Sequence, residues 1–151
     1  MTNRGRNSLS AEEIRERVRA TGLRVTAPRV AVIQQLQQAQ APVTHAELAT
    51  ALATQGWDRA TIYRNLTDLT EAKLLQRTDV GDHVWRFELY REKGGADHAD
   101  ARHPHFVCGD CGEVQCLPLD TVRVVGGRGL PKSLKGDAVE IQVKGRCDRC
   151  A

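Results

Sequence analysis

Apolar residues recur at helical intervals in four runs before residue 75, and the residues flanking each run carry the start and stop signals of a helix. The first run opens at Ser10, a good N-cap with Glu12 and Glu13 behind it, and ends near Ala20 at Gly22. Thr26 caps the second, with Pro28 in its first turn and Val30, Ile33 and Leu36 at helical spacing. Thr44-His45-Ala46-Glu47 is a capping-box pattern that opens the third, with Leu48 and Leu52 inward and Gly56 as its stop. Asp58 opens the fourth, where Ile62, Leu66 and Leu69 form an i, i+4, i+7 stripe. The opposite side of that helix is polar and presents Arg59, Thr61, Tyr63, Arg64 and Thr67. His45 falls in a first helical turn and reads as a surface residue.

From Leu74 the pattern shortens to that of strands. Leu74–Thr78 and Val84–Leu89 flank the turn Asp79-Val80-Gly81-Asp82 and predict a hairpin. Helices followed by a two-stranded hairpin are the order of a winged helix, with the fourth helix as recognition helix and the hairpin as wing. Residues 91–102 are polar and read as a linker. Beyond them, Phe106–Cys108, Val114–Leu117 and Ala138–Lys144 are strand candidates, and Gly126–Gly136, rich in Gly, Lys and Pro, reads as a loop. The expectation is an α+β chain with a winged-helix domain at 1–90, a linker at 91–102 and a small α/β domain at 103–151. A winged helix also serves protein contacts. Tyr and Arg, however, reach phosphates and base edges, and Thr does either, so the polar side of the fourth helix points to double-stranded DNA.

Composition narrows the class. The chain has 151 residues, 40% of them hydrophobic and 27% charged, within the range of soluble globular proteins. Aromatic residues are only 4%, so Leu, Val, Ile and Ala must carry the core. No apolar run reaches the ~20 residues of a membrane span, and the basic N-terminal residues have no apolar stretch behind them. The expectation is a cytoplasmic protein with no membrane partner. The net charge of +3 lies wholly in residues 1–80, which hold eleven Lys/Arg against eight Asp/Glu, while the remainder holds eleven of each. Seven arginines, Arg24 and Arg29 among them, crowd residues 1–29 against three glutamates. Either a basic DNA-facing side or a solvated arm gives this pattern. On the first reading Arg24 and Arg29 hold phosphates.

All five cysteines follow position 107, and four form the pairs Cys108/Cys111 and Cys147/Cys150. Two Cys-x-x-Cys turns separated by a strand-rich segment read as one tetrahedral zinc site, each turn placing two thiolates within about 2.3 Å of a shared metal. Gly112, directly after Cys111, permits the tight turn of such a knuckle. His103 and His105, two residues apart on a strand, share a face.

Three stretches together resemble the ferric uptake regulator family of metal-dependent repressors. They are Leu23-Arg-Val-Thr-Ala-Pro-Arg29, Ala60-Thr-Ile-Tyr-Arg-Asn-Leu66, and His103-Pro-His-Phe-Val-Cys-Gly-Asp-Cys-Gly112 with Gly145-Arg-Cys-Asp-Arg-Cys150. They match the start of the family's second helix, its recognition helix and its metal core, in order, over roughly residues 9–150. The resemblance implies a DNA-binding winged helix and a C-terminal dimerisation domain, hence a homodimer on a palindromic operator. It further implies a structural zinc on Cys108, Cys111, Cys147 and Cys150, and a separate regulatory divalent metal at the domain junction.

The regulatory site carries over in part. Glu88, His103 and His105 match family ligands, whereas Pro42 stands where iron- and peroxide-sensing members have a histidine. Cys116 replaces a carboxylate, and Val139 replaces a histidine that some members use for an extra metal. His83 on the wing and His98 in the linker are further donors, each either a ligand or a surface residue, and Cys116 is either a ligand or a small core residue. His and thiolate donors favour zinc over iron or manganese, and the spacing of His83, His98, His103 and His105 resembles that of the zinc-uptake branch. The expected function is a zinc-responsive repressor of metal-homeostasis genes. Two readings stand beside it: a peroxide-sensing repressor of the same family using Fe2+ or Mn2+, and a zinc-ribbon interaction module without metal sensing. No enzyme is expected, since zinc deaminases require His-x-Glu with Pro-Cys-x-x-Cys, and the chain has His103-Pro104-His105 and no Pro before either cysteine pair. The segment Leu119–Leu134, where the family has a long helix, contains Gly126, Gly127, Gly129 and Pro131 and supports a short helix at best.

Overall fold

A computed structural model describes residues 8–90, 103–135 and 139–151, in two compact units, 1–90 and 91–151. In the first unit, helix α1 spans Ala11–Ala20 and opens on a complete capping box: Ser10 Oγ accepts from the Glu13 amide, and Glu13 Oε2 accepts from the Ser10 amide at 2.7 Å. Gly22 follows it at φ +82°, a left-handed conformation that glycine takes without strain. Helix α2 spans Ala27–Gln38. Thr26 occupies its N-cap position, but contrary to the capping expectation its side chain makes no cap hydrogen bond, and its Oγ1 is buried without a partner among the described residues. Pro28 in the first turn sets the helical φ there instead.

Strand β1 (Val43–Thr44) leads into α3 (His45–Ala51), opened by the expected Thr44/Glu47 capping box. Helix α4 (Arg59–Glu71) begins at Asp58, whose Oδ1 accepts from the Thr61 amide at 2.7 Å. Strands β2 (Leu75–Asp79) and β3 (Trp85–Leu89) form the expected antiparallel hairpin, Arg77 opposite Phe87. The sequence pattern did not show β1, which pairs with β3 to give the sheet order β1-β3-β2. Ile62, Leu66 and Leu69 of α4 are wholly buried and meet Ile14, Val18, Val32, Leu48 and Phe87 in one core. That stripe decides which side of α4 remains for solvent.

An ion pair locks α4 from outside the core. Arg29 donates through Nη2 to Asp68 Oδ2 on α4 and through Nη1 to the Arg24 carbonyl at 2.6 Å, with its side chain only 13% exposed. Arg29, which the sequence assigns to phosphate, joins α2 to α4 through its guanidinium. Arg29→Ala is expected to lower stability by about 1–3 kcal/mol, the worth of charge-assisted bonds in a partly buried place. Urea unfolding of the full chain measures it, and a change of a few tenths would show the bridge to be idle.

In the second unit, β4 (His105–Cys108) pairs antiparallel with β5 (Val114–Cys116) and parallel with β6 (Gln142–Gly145), in the order β5-β4-β6. The strand expected over 138–144 is shorter, its ladder running only through Gln142–Gly145. Leu119–Leu134 holds a 3-10 turn at Leu119–Thr121 and the start of another at Lys132–Lys135, with no α-helix among the described residues. A Cβ at Gly145 would come 3.1 Å from the Phe106 ring, which would have to give by a few tenths of an ångström.

Candidate metal centres and DNA-facing helix

The four cysteines are brought together by the parallel pairing of β4 and β6. Cys108 ends β4 opposite Gly145, Cys111 lies in the turn to β5, and Cys147 and Cys150 follow β6 directly. Gly112 supports the first turn at φ +72°. One sulfur from each cysteine lies within 4.8 Å of the others, and the Cys111 and Cys147 sulfurs are 3.6 Å apart. Sulfurs around a tetrahedral zinc with bonds of 2.3 Å would be about 3.8 Å apart, so this cluster fits zinc.

The electrostatics agree. Backbone amides directed at its sulfur, that of Cys111 first and then that of Cys147 at 3.4 Å, lower the Cys108 thiol from 9.0 to about 6. The neighbouring Cys147 and Cys111 thiols push Cys150 up to about 12, and burial raises Cys147. Four sulfurs this close cannot all ionise by themselves, and a divalent cation supplies the charge that allows it. Two ion pairs tie one knuckle to the other at the surface, Arg146 to Asp110 at 3.0 Å and Arg149 to Glu113 at 2.8 Å.

A second donor group gathers at the start of β4 in the same sheet. His105 stands opposite Cys116 in the antiparallel register, so both side chains leave the sheet on the same side. His103 precedes His105 by two residues, with ring centroids 4.6 Å apart. Ligand atoms of His103, His105 and Cys116 lie within 4.8 Å of one another. Both ring nitrogens of His105 and Nε2 of His103 are buried, while Cys116 is exposed.

Two further expected donors, Glu88 and His83, belong to the first unit. Glu88 sits on β3 of the first unit, where its Oε1 accepts from Gln76 Nε2 at 2.7 Å. His83 is at the tip of the hairpin at φ +59°, 95% exposed, with Nδ1 3.7 Å from Asp79 Oδ2, and belongs to neither donor group of the described residues. His98 lies outside the described residues.

On α4 the expected polar side is open: Arg59, Tyr63 and Arg64 are exposed and Thr61 half-buried. Arg24 is exposed as well. One participant was missed from the sequence. His45 is not an idle surface residue but touches the first turn of α4, its Nε2 2.8 Å from the Arg59 carbonyl oxygen and its ring edge-on to Tyr63. Nothing in a lone histidine fourteen residues upstream signals this.

A winged helix with a polar recognition face, in one chain with a four-thiol cluster and a second nitrogen–sulfur donor group, defines a metal-binding winged-helix protein. Residues 20–128 match the model of the ferric uptake regulator family. The ferric uptake regulation protein of Bacillus subtilis is 41% identical over 66 residues, covering 44% of this chain and 41% of that protein. That of Haemophilus ducreyi is 30% identical over 109 residues, covering 69% of this chain and 68% of the other. The aligned part thus spans about two fifths of the first relative and two thirds of the second. The solved ferric uptake regulator of Pseudomonas aeruginosa with manganese shares the fold with a TM-score of 0.60 at 25% identity, over 89% of this chain and 98% of the other. The chain belongs to the ferric uptake regulator family. Among the described residues no helix is long and apolar enough to cross a membrane.

Proposed function

We propose that this chain is a zinc-responsive repressor that binds a palindromic operator as a homodimer and controls metal-homeostasis genes. The observation that carries the reading is the meeting of His103, His105 and Cys116, with His105 and Cys116 on one sheet face and His103 just before β4. Two imidazoles and a thiolate are a donor set that suits zinc better than iron or manganese, which prefer oxygen. A dimer on a palindrome needs its recognition helices about one DNA turn apart, ~34 Å, and metal would select arrangements that meet that spacing. The four-cysteine zinc is structural and remains bound throughout.

Selection from a random duplex library by the full chain, with its structural zinc in place and with added Zn2+, Mn2+ or Fe2+, tests both halves. Zinc is expected to give the tightest sequence-selective binding. Selection that needs no added metal, or that responds to Fe2+ or Mn2+ and not to zinc, overturns the zinc reading. On the selected duplex, Arg64→Ala and Tyr63→Ala are each expected to weaken binding by ~1–3 kcal/mol, the worth of a base-reading contact. Unchanged affinity in both, with binding abolished by Arg59→Ala, would move the reading contacts to the helix start.

A further inference from the structure

We propose that His45 is a positioning residue for DNA reading: it holds the first turn of α4 and the Tyr63 ring in the arrangement that meets DNA. This rests on the reading of α4 as the recognition helix. The Arg59 carbonyl only accepts, so at 2.8 Å His45 carries a proton on Nε2 and donates it. The same imidazole meets Tyr63 nearly at right angles, with centroids 5.4 Å apart and planes at 73°, the edge-to-face geometry aromatic rings prefer. Arg59 and Tyr63 are four residues apart and therefore successive on one helix face, which is why a single ring from α3 reaches both. The carbonyl that faces His45 lies one turn from Tyr63, so the bond fixes the backbone under the ring that the edge contact fixes from the side.

The consequence for binding is specific. Tyr63 is 49% exposed, and an exposed side chain loses rotamer freedom when a partner immobilises it. With His45 against it, that loss is already incurred in the free protein. Contacts to base edges depend on placement, whereas attraction to phosphates tolerates displacement and is indifferent to sequence. Loss of His45 should therefore weaken selective binding and leave non-selective binding nearly as it was.

The test uses the full zinc-loaded chain, the duplex selected by the parent and a scrambled duplex of equal length. His45→Ala is expected to bind the selected duplex about five- to tenfold more weakly, the worth of one hydrogen bond and one ring contact, with less than about a twofold change on the scrambled duplex. It should relax the same base positions as Tyr63→Ala. His45→Gln keeps a donor at the place of Nε2 and His45→Phe keeps the ring edge, so each should recover part of the loss. These two decide the matter if the alanine variant melts early or loses zinc. In a Tyr63→Ala background, His45→Ala should cost less than in the parent, a coupling that a double-mutant cycle reads directly. Parental affinity in all three His45 variants, equal loss on both duplexes, or strict additivity with Tyr63→Ala overturns the proposal. A parent that selects no sequence overturns the reading of α4 and this inference with it, whereas a selective parent with indifferent His45 variants overturns this inference alone.

Discussion

Replacing Cys108 with serine is expected to remove the zinc from the second unit and to unfold that unit while the first stays folded. The reason is the size of its core. Among the described residues, its buried apolar side chains are Pro104, Val107 and Val114, with Cys108 and Cys147 themselves. A core of that size does not hold a unit together alone, and small units of this kind depend on a metal or other staple. Zinc in structural sites contributes on the order of 10 kcal/mol of apparent binding energy, more than so few apolar groups supply. Cys108 is the most consequential of the four because it ends the central strand, receives the Cys147 amide and has the lowered thiol. Without metal, β6 is left to its four-residue ladder and to the surface ion pairs of Arg146 and Arg149, which hold it weakly. Metal analysis should fall from one equivalent per chain to near zero, and the melting curve should separate into two transitions, with the Ile62–Leu66–Leu69 core giving the later one. One full zinc equivalent and a parental melt in the variant would exclude the site.

Acid should act in the same direction. A thiol lowered from 9.0 to about 6 contributes stability that is fully present above pH 9, wanes as pH falls and is gone below about 6. Proton competition for the other sulfurs runs the same way, so a chelator is expected to strip zinc faster at pH 5.5 than at pH 7.5.

The second large effect is expected from His103→Ala/His105→Ala. This variant should keep its structural zinc and its melting temperature but lose the dependence of DNA binding on added zinc. The two imidazoles supply most of the donor group around Cys116, and a remaining thiolate cannot complete a site. A metal shifts an equilibrium only by its differential affinity for the two arrangements. A coupling typical of allosteric proteins, 1–3 kcal/mol, would change operator affinity about 5- to 150-fold. By reciprocity, operator DNA should tighten zinc binding in the parent by the same factor and in the variant not at all. Titration of the selected duplex at buffered free zinc measures both. Parental zinc dependence in the variant would mean that these histidines are not the regulatory ligands.

Much of this molecule is legible locally. The caps at Ser10, Thr44 and Asp58 act on amides within three residues, so sequence alone shows where those helices start. The Ile62, Leu66 and Leu69 stripe identifies the buried side of α4 and, by exclusion, its open side, because helical period depends on nothing beyond the helix. The two Cys-x-x-Cys turns declare a metal site because each brings its sulfurs together unaided. Other features depend on contacts between distant residues. β1 has two residues, too few to show any period, and exists because β3 lies beside it. Arg29 has the appearance of a free basic residue until the packing of α2 on α4 presents Asp68, thirty-nine positions away. His45 meets Arg59 and Tyr63 only because α3 and α4 converge at that end. Cys116 joins His105 through one strand register, and a slip of a single residue would turn it to the opposite face. Helix starts and knuckles are written within a turn of chain, whereas partners across the fold are chosen by how the apolar faces pack, which no single stretch of sequence contains.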